Sequence, residues 1–147
     1  MPNFMEMALQ EAEEAAKKGE VPVGAVLVSS TGNILARAGN QTETDNDPTA
    51  HAEMLVMRKA SQKRGSPRLT DCDLYVTLEP CAMCAAAISF ARLRRVVFAA
   101  YDPKGGAVEH GPRFFSQPTC HHAPEIVSGV EEKRAKEMLK KFFDKRR

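Results

Sequence analysis

Four residues constrain this chain more than any others: His51, Glu53, Cys81 and Cys84. Cys81 and Cys84 stand three apart at the start of a predicted helix. That spacing puts both sulfurs on one helix face, within reach of one ion. The partial positive charge of a helix N-terminus favours thiolate, which is the ligand form, and soft sulfur suits zinc. His51 opens the preceding predicted helix just as Cys81 opens this one, so it is the best third ligand. A fold that uses all three must bring two helix N-termini to one edge of a sheet.

A structural zinc site is usually closed by four protein ligands. The sequence has no second C-x-x-C and no H-x3-H to close this one. Three ligands with an open fourth position make a catalytic pattern. Glu53, two residues beyond His51, is then better used beside the metal than on it. There it can take a proton from zinc-activated water and later give one to a leaving group. Two thiolates, a neutral histidine and a dication sum to no net charge. Such a metal acidifies water less than an all-histidine site, so a carboxylate base nearby is the more necessary.

The rest of the chain provides the frame. Its 147 residues suit one domain with one core, and 43% are hydrophobic, too many for a disordered chain. No apolar run reaches the roughly 18 residues a bilayer span needs. The N-terminus, Met1 to Glu6, lacks a basic region before an apolar block, so a cytoplasmic protein is expected. Cys72 and Cys120 stand apart from the C-x-x-C, which argues against a disulfide framework; Cys72 reads as a small buried hydrophobe. The net charge of +2 identifies no nucleic-acid partner, but the surplus is local: residues 131–147 carry eight Lys/Arg against four Asp/Glu.

Residues 4–18 show helical spacing with Gly19 as a stop. Val23–Val28 and Ile34–Ala38 form a hairpin across the turn Ser30–Asn33, and the polar stretch 40–49 is a loop. A second helix is expected from Asp47-Pro48 to about Arg64, because Asp caps and Pro suits a first turn. Strand Leu74–Thr77, a helix from Cys81, strand Val96–Ala100 and a helix over 130–146 follow. Residues 102–125, rich in Gly, Pro and His, take no assignment. The order implies a three-layer α/β sandwich with a mixed sheet.

His51-Ala52-Glu53 joined to Pro80-Cys81-Ala82-Met83-Cys84 matches the H-x-E and P-C-x-x-C signature of zinc deaminases. Pro48–Glu53 and Thr77–Cys84 resemble the two motifs of the cytidine/deoxycytidylate deaminase superfamily. More narrowly, Glu20–Val26, Asn40, Arg95–Lys104 and the C-terminal Phe142-Phe143 with Lys145-Arg146-Arg147 are similar to bacterial tRNA-specific adenosine deaminases. The resemblance implies a three-layer α/β/α sandwich with a mixed five-stranded sheet, one Zn2+ per chain and a homodimer. It also implies conversion of adenosine to inosine at the wobble position of a tRNA anticodon stem-loop. Asn40 would then hydrogen-bond the base, Val21, Ala52 and Pro80 would line its pocket, Asp102 would sit near the flanking nucleotide, and Phe142 and Phe143 would meet the anticodon loop. Residues 105–122 depart from better-known members.

Three rivals stay open. A deaminase of a free base or nucleoside, of guanine or cytosine type, shares the chemistry; the basic, aromatic C-terminus argues mildly for RNA. A non-catalytic zinc-containing RNA-binding subunit would be expected to lack Glu53. A C-x-x-C redox protein leaves His51-Ala52-Glu53 unexplained. His110, His121 and His122 read as loop or pocket-rim residues.

Overall fold

The computed structural model describes residues 3–146. Helix α1 (Phe4–Lys17) is capped by Asn3, whose side chain accepts from Glu6 N. Strands β1 (Gly24–Val28) and β2 (Ile34–Gly39) form the hairpin. Helix α2 (Ala52–Arg64), strand β3 (Asp73–Leu78), helix α3 (Ala82–Ala91) and strand β4 (Arg95–Ala100) follow, then strand β5 (Glu125–Ser128) and helix α4 (Glu132–Asp144). The sheet order is β2-β1-β3-β4-β5. Strand β1 runs antiparallel to both β2 and β3, whereas β3, β4 and β5 are parallel, so the sheet is mixed.

Alternation along the central strands divides two apolar layers. Ala25, Leu27, Leu74, Val76, Val96 and Phe98 pack under α2 and α3. Val26, Val28, Val97 and Ala99 pack under α1 and α4. The three-layer sandwich with five strands is therefore as expected. Its fifth strand lies at the end of the segment that carries no strand signal. β5 is a short edge strand whose residues alternate between exposed and half-buried, too little apolar patterning to read locally.

One expectation is corrected. The second helix does not begin near Asp47-Pro48 but at Ala52, with His51 as its extended N-cap (φ −73°, ψ 149°). Asp47 instead accepts from Thr49 N at 2.8 Å and Thr49 Oγ1 at 2.7 Å, closing a local turn that competes with the helix. The first helical N–H, that of Ala52, is capped from a distance by Asn40 Oδ1 at 2.8 Å. Local capping rules do not register such a partner.

Helix α1 lies directly on the hairpin's backbone. A Cβ at Gly24 would fall 2.0 Å from Ala8 O and 2.6 Å from Ala12 N, both backbone atoms. Small residues on the helix, Ala8, Ala12 and Ala15, complete this close approach, and all are buried. Gly24→Ala should therefore destabilise the protein by about 1–3 kcal/mol or more, since overpacking here forces the helix off the sheet. A lowered urea midpoint at unchanged slope would report it; an unchanged midpoint would refute this account of the packing.

Candidate active site

Both helices on one face begin at the same edge of the sheet. The chain leaves β3 at Leu78, crosses Glu79-Pro80 and enters α3 with Cys81 as N-cap (φ −75°, ψ 176°). His51 is the N-cap of α2, and neither residue uses its side chain to cap its own helix. The two side chains face one another instead. His51 Nδ1 lies 3.5 Å from Cys81 Sγ and 3.6 Å from Cys84 Sγ.

These separations test the site for zinc. Tetrahedral zinc with Zn–S near 2.3 Å and Zn–N near 2.0 Å sets sulfur and nitrogen about 3.5–3.6 Å apart. All three donor atoms lie within 4.8 Å of one another, and the triad is the cluster of this kind found among the described residues. The donor set and its spacing fit one zinc ion.

Without a metal the two thiols differ in charge state. Hydrogen bonding from Cys84, and then from His51, lowers the Cys81 thiol to about 4, so it is a thiolate at neutral pH. Cys84 is pushed up by the neighbouring Cys81, by burial and by the charge of Glu53. Glu53 is 3% exposed, in the first turn of α2. Burial first, and the Cys81 charge second, push its carboxyl up to about 7. A cation held by the triad would pull in the opposite direction. A buried carboxylate with few fixed donors beside a metal site is suited to passing protons.

The other expected residues fall in different places. Asn40 turns its oxygen to Ala52 N, which leaves its amide NH2 end for another partner. Ala52 and Pro80 are buried, and Pro80 O accepts from Ala107 N at 2.9 Å. Val21 is half-buried against the α2–α3 core. Asp102 is also half-buried, and its Oδ1 accepts from Lys104 N and Gly105 N. Phe142 and Phe143 are not in the metal cluster; they sit on α4, in the opposite layer. Phe142 is buried under the Arg146 guanidinium, 3.5 Å from its ring centre, and Phe143 is 48% exposed. Arg147 lies outside the described residues. Cys72 is buried as expected, with its thiol pushed up to about 11 by burial and by Asp71. His122 donates to Leu93 O at 2.7 Å, a structural bond rather than a site contact.

Two residues escaped the sequence reading. Glu20 is buried, and its carboxylate accepts from Thr44 N and Thr44 Oγ1, both at 2.6 Å, and from Glu43 N at 3.2 Å. It pins the loop that runs from Asn40 to His51. Glu79 is buried at the end of β3 and gathers the loop after β4, with His110 Nδ1 donating to it at 2.8 Å. The signal was present in each case as an acid set among apolar residues: Glu20 before Val21-Pro22-Val23, and Glu79 between Leu78 and Pro80.

Several known proteins are similar to this chain. Residues 2–100 match the family described as the cytidine and deoxycytidylate deaminase zinc-binding region. The chain is 59% identical over 145 residues to a tRNA-specific adenosine deaminase of Agrobacterium fabrum, covering 99% of this chain and 95% of that one. It is 48% identical to a tRNA-specific adenosine deaminase of Bacillus subtilis, covering 95% and 86%. A solved structure from work on A-to-I editing by tRNA:A34 deaminases at the wobble position of transfer RNA superimposes with a TM-score of 0.90. It is 61% identical, covering 92% of this chain and 98% of that one.

Glu20 makes the site's scaffold sensitive to acid. Burial alone would raise its pKa, but the hydrogen bonds from Thr44, Glu43 and Thr42 outweigh burial and hold it below the ordinary 4.5. A lowered folded pKa stabilises above the unfolded value, and that stabilisation is lost as pH falls through the folded one. Glu20→Gln should cost about 1–3 kcal/mol at neutral pH. The gap from wild type should narrow below the ordinary value of 4.5. Urea unfolding of both proteins at several pH values would show it, and a gap that widens in acid would contradict it.

Proposed function

The chain belongs to the cytidine and deoxycytidylate deaminase family, and we propose that it is a single-domain zinc enzyme that converts adenosine to inosine at the wobble position of a tRNA anticodon. The observation that carries this reading is the triad of His51, Cys81 and Cys84 at zinc-compatible separations, with the buried carboxylate of Glu53 beside it. Near-full-length relatives named as tRNA-specific adenosine deaminases support the choice of substrate.

His51 Nδ1, Cys81 Sγ and Cys84 Sγ would hold the zinc. When bound, the metal supplies Lewis acidity that makes water nucleophilic near neutral pH. Glu53 does the proton work. Its carboxylate takes a proton from the attacking water and delivers it to N1 of adenine as the new bond to C6 forms. It then carries the second proton to the departing amino group, so adenosine and water become inosine and ammonia. Burial of Glu53 keeps this exchange away from bulk solvent. Asn40 Oδ1 is used by Ala52 N, and in this reading the NH2 end donates to an acceptor on the base.

A base stacked in a helix cannot enter such a site, so the substrate base must be splayed from an RNA loop. Val21, Ala52 and Pro80 are assigned to the pocket wall and Asp102 to the flanking nucleotide. The exposed Phe143, with Lys140, Lys141 and Lys145, offers stacking and phosphate contacts to the anticodon stem-loop. A homodimer is part of the reading, and Phe90 on α3, 79% exposed, supplies apolar surface for it. No helix among the described residues is long and apolar enough to cross a membrane, and a tRNA-modifying role fits the cytoplasm.

Two variants and one assay test this. Cys84→Ser should lose zinc on metal analysis, and retention of one zinc per chain would remove Cys84 from the ligand set. Glu53→Ala should keep fold and zinc while ammonia release falls by about a hundredfold or more; activity near wild type would rule out the shuttle. The assay compares an anticodon stem-loop carrying wobble adenosine with free guanine, adenosine and cytidine. Turnover confined to a free base would sink the RNA reading.

A further inference from the structure

The carboxylate of Glu79 is fully buried, yet five N–H groups converge on it. Its Oε1 accepts from Asp102 N at 3.0 Å and His110 Nδ1 at 2.8 Å. Its Oε2 accepts from Val108 N at 3.1 Å, Glu109 N at 2.9 Å and His110 N at 3.1 Å. Three successive backbone N–H groups turned to one oxygen form the kind of concavity that binds anions. Here the anion is the chain's own. A glutamine could not replace it without turning an NH2 group against these donors.

The loop closes on the carboxylate to contact distance. A Cβ at Gly106 would fall 2.5 Å from Glu79 Cδ and 2.6 Å from Asp102 O. Ala107 N is bonded to Pro80 O, so the segment is tied to both residues that precede the ligand Cys81. Its inner side is buried at Gly106, Ala107 and Val108, whereas Pro103, Lys104, Gly105 and Glu109 are exposed. The outer side thus presents a lysine and the half-buried Asp102, on a loop with no regular secondary structure that is bonded to the two residues before Cys81. Asp102 shapes the start of the segment, taking Lys104 N and Gly105 N on its side chain and Gly106 N on its carbonyl, and Glu79 gathers the stretch from Val108 to His110.

We propose that Glu79 and His110 form a positioning pair that holds residues 102–110 in the arrangement able to meet the substrate, and so sets substrate affinity rather than metal binding or proton transfer. The proposal rests on the RNA-deaminase reading above. The pair acts through the loop and touches neither the base nor the metal. A positioning fault of this kind appears in KM more than in kcat, and a displacement of about 1 Å can cost a hundredfold.

Three variants test it: E79Q, which turns an NH2 group against at least one backbone N–H donor; G106A, which pushes the loop outward while leaving the carboxylate charge in place; and H110A, which removes one donor at the surface. For each, zinc content, kcat and KM on the anticodon stem-loop, and RNA binding by fluorescence anisotropy are measured. E79Q and G106A should raise KM and the RNA dissociation constant by about tenfold or more, with zinc retained and kcat changed less. The shared effect in G106A assigns it to loop placement and not to charge near the metal. Unchanged KM in the folded variants overturns the proposal, and so does zinc loss in E79Q. Should E79Q not fold, H110A decides: a smaller rise in KM supports the pair and none refutes it. A wild-type chain that deaminates only a free nucleoside would overturn the RNA reading separately. KM for that nucleoside then judges the pair by the same criterion.

Discussion

Everything at the site depends on two helix N-termini meeting at one edge of the sheet. An N-cap side chain ordinarily satisfies its own helix. His51 and Cys81 are N-caps that do not, and their side chains are free to face one another at 3.5 Å. The cost is an uncapped helix start, which α2 offsets by borrowing Asn40 from the end of β2. One amide therefore does two jobs. It completes the helix that carries His51 and Glu53, and it is fixed beside them with its NH2 end unspent. The parallel β3-α3-β4 crossover sets Cys81 and Cys84 against this start, because α3 leaves the sheet at the edge where α2 begins.

The same logic explains why the molecule buries carboxylates. Leaving a carboxylate in a core costs several kcal/mol unless hydrogen bonds replace its water. Glu20 and Glu79 meet that condition with loop N–H groups, and both have pKa values held below the ordinary range despite burial. Glu53 lacks such a set of donors, and its pKa rises instead. Three glutamates of similar burial thus divide by environment: Glu20 and Glu79 are fixed anions, whereas the carboxyl of Glu53 is pushed up. Burial alone does not separate them; the count of fixed donors does.

Much of this was legible in the sequence. The apolar runs of β1 and β4, the helical spacing of α1 and the H-x-E and C-x-x-C motifs are local patterns, and they made the layers and the cluster of His51, Cys81 and Cys84 legible. What was missed depends on contacts between distant residues. The start of α2 is set by Asn40, which is twelve residues from Ala52. Strand β5 pairs with β4 across an intervening loop, with four residues and little apolar patterning of its own. Glu79 is matched to donors 23 to 31 residues away. Phe142 and Phe143 are adjacent in sequence, yet one is buried beneath Arg146 and the other is exposed, a distinction that helical spacing alone left open.

This division follows from what each part must do. A zinc site needs a few donor types at fixed local spacing, so its chemistry is written in short motifs. A surface that selects one base in one RNA loop needs irregular segments held in a single shape. Irregular backbone satisfies its N–H groups only through partners brought by the fold. In this chain those partners are the carboxylates of Glu20 and Glu79, each anchored in the core at the foot of a loop. The motifs and the loops therefore rest on different constraints: the motifs on local spacing, the loops on N–H groups turned to a buried acid.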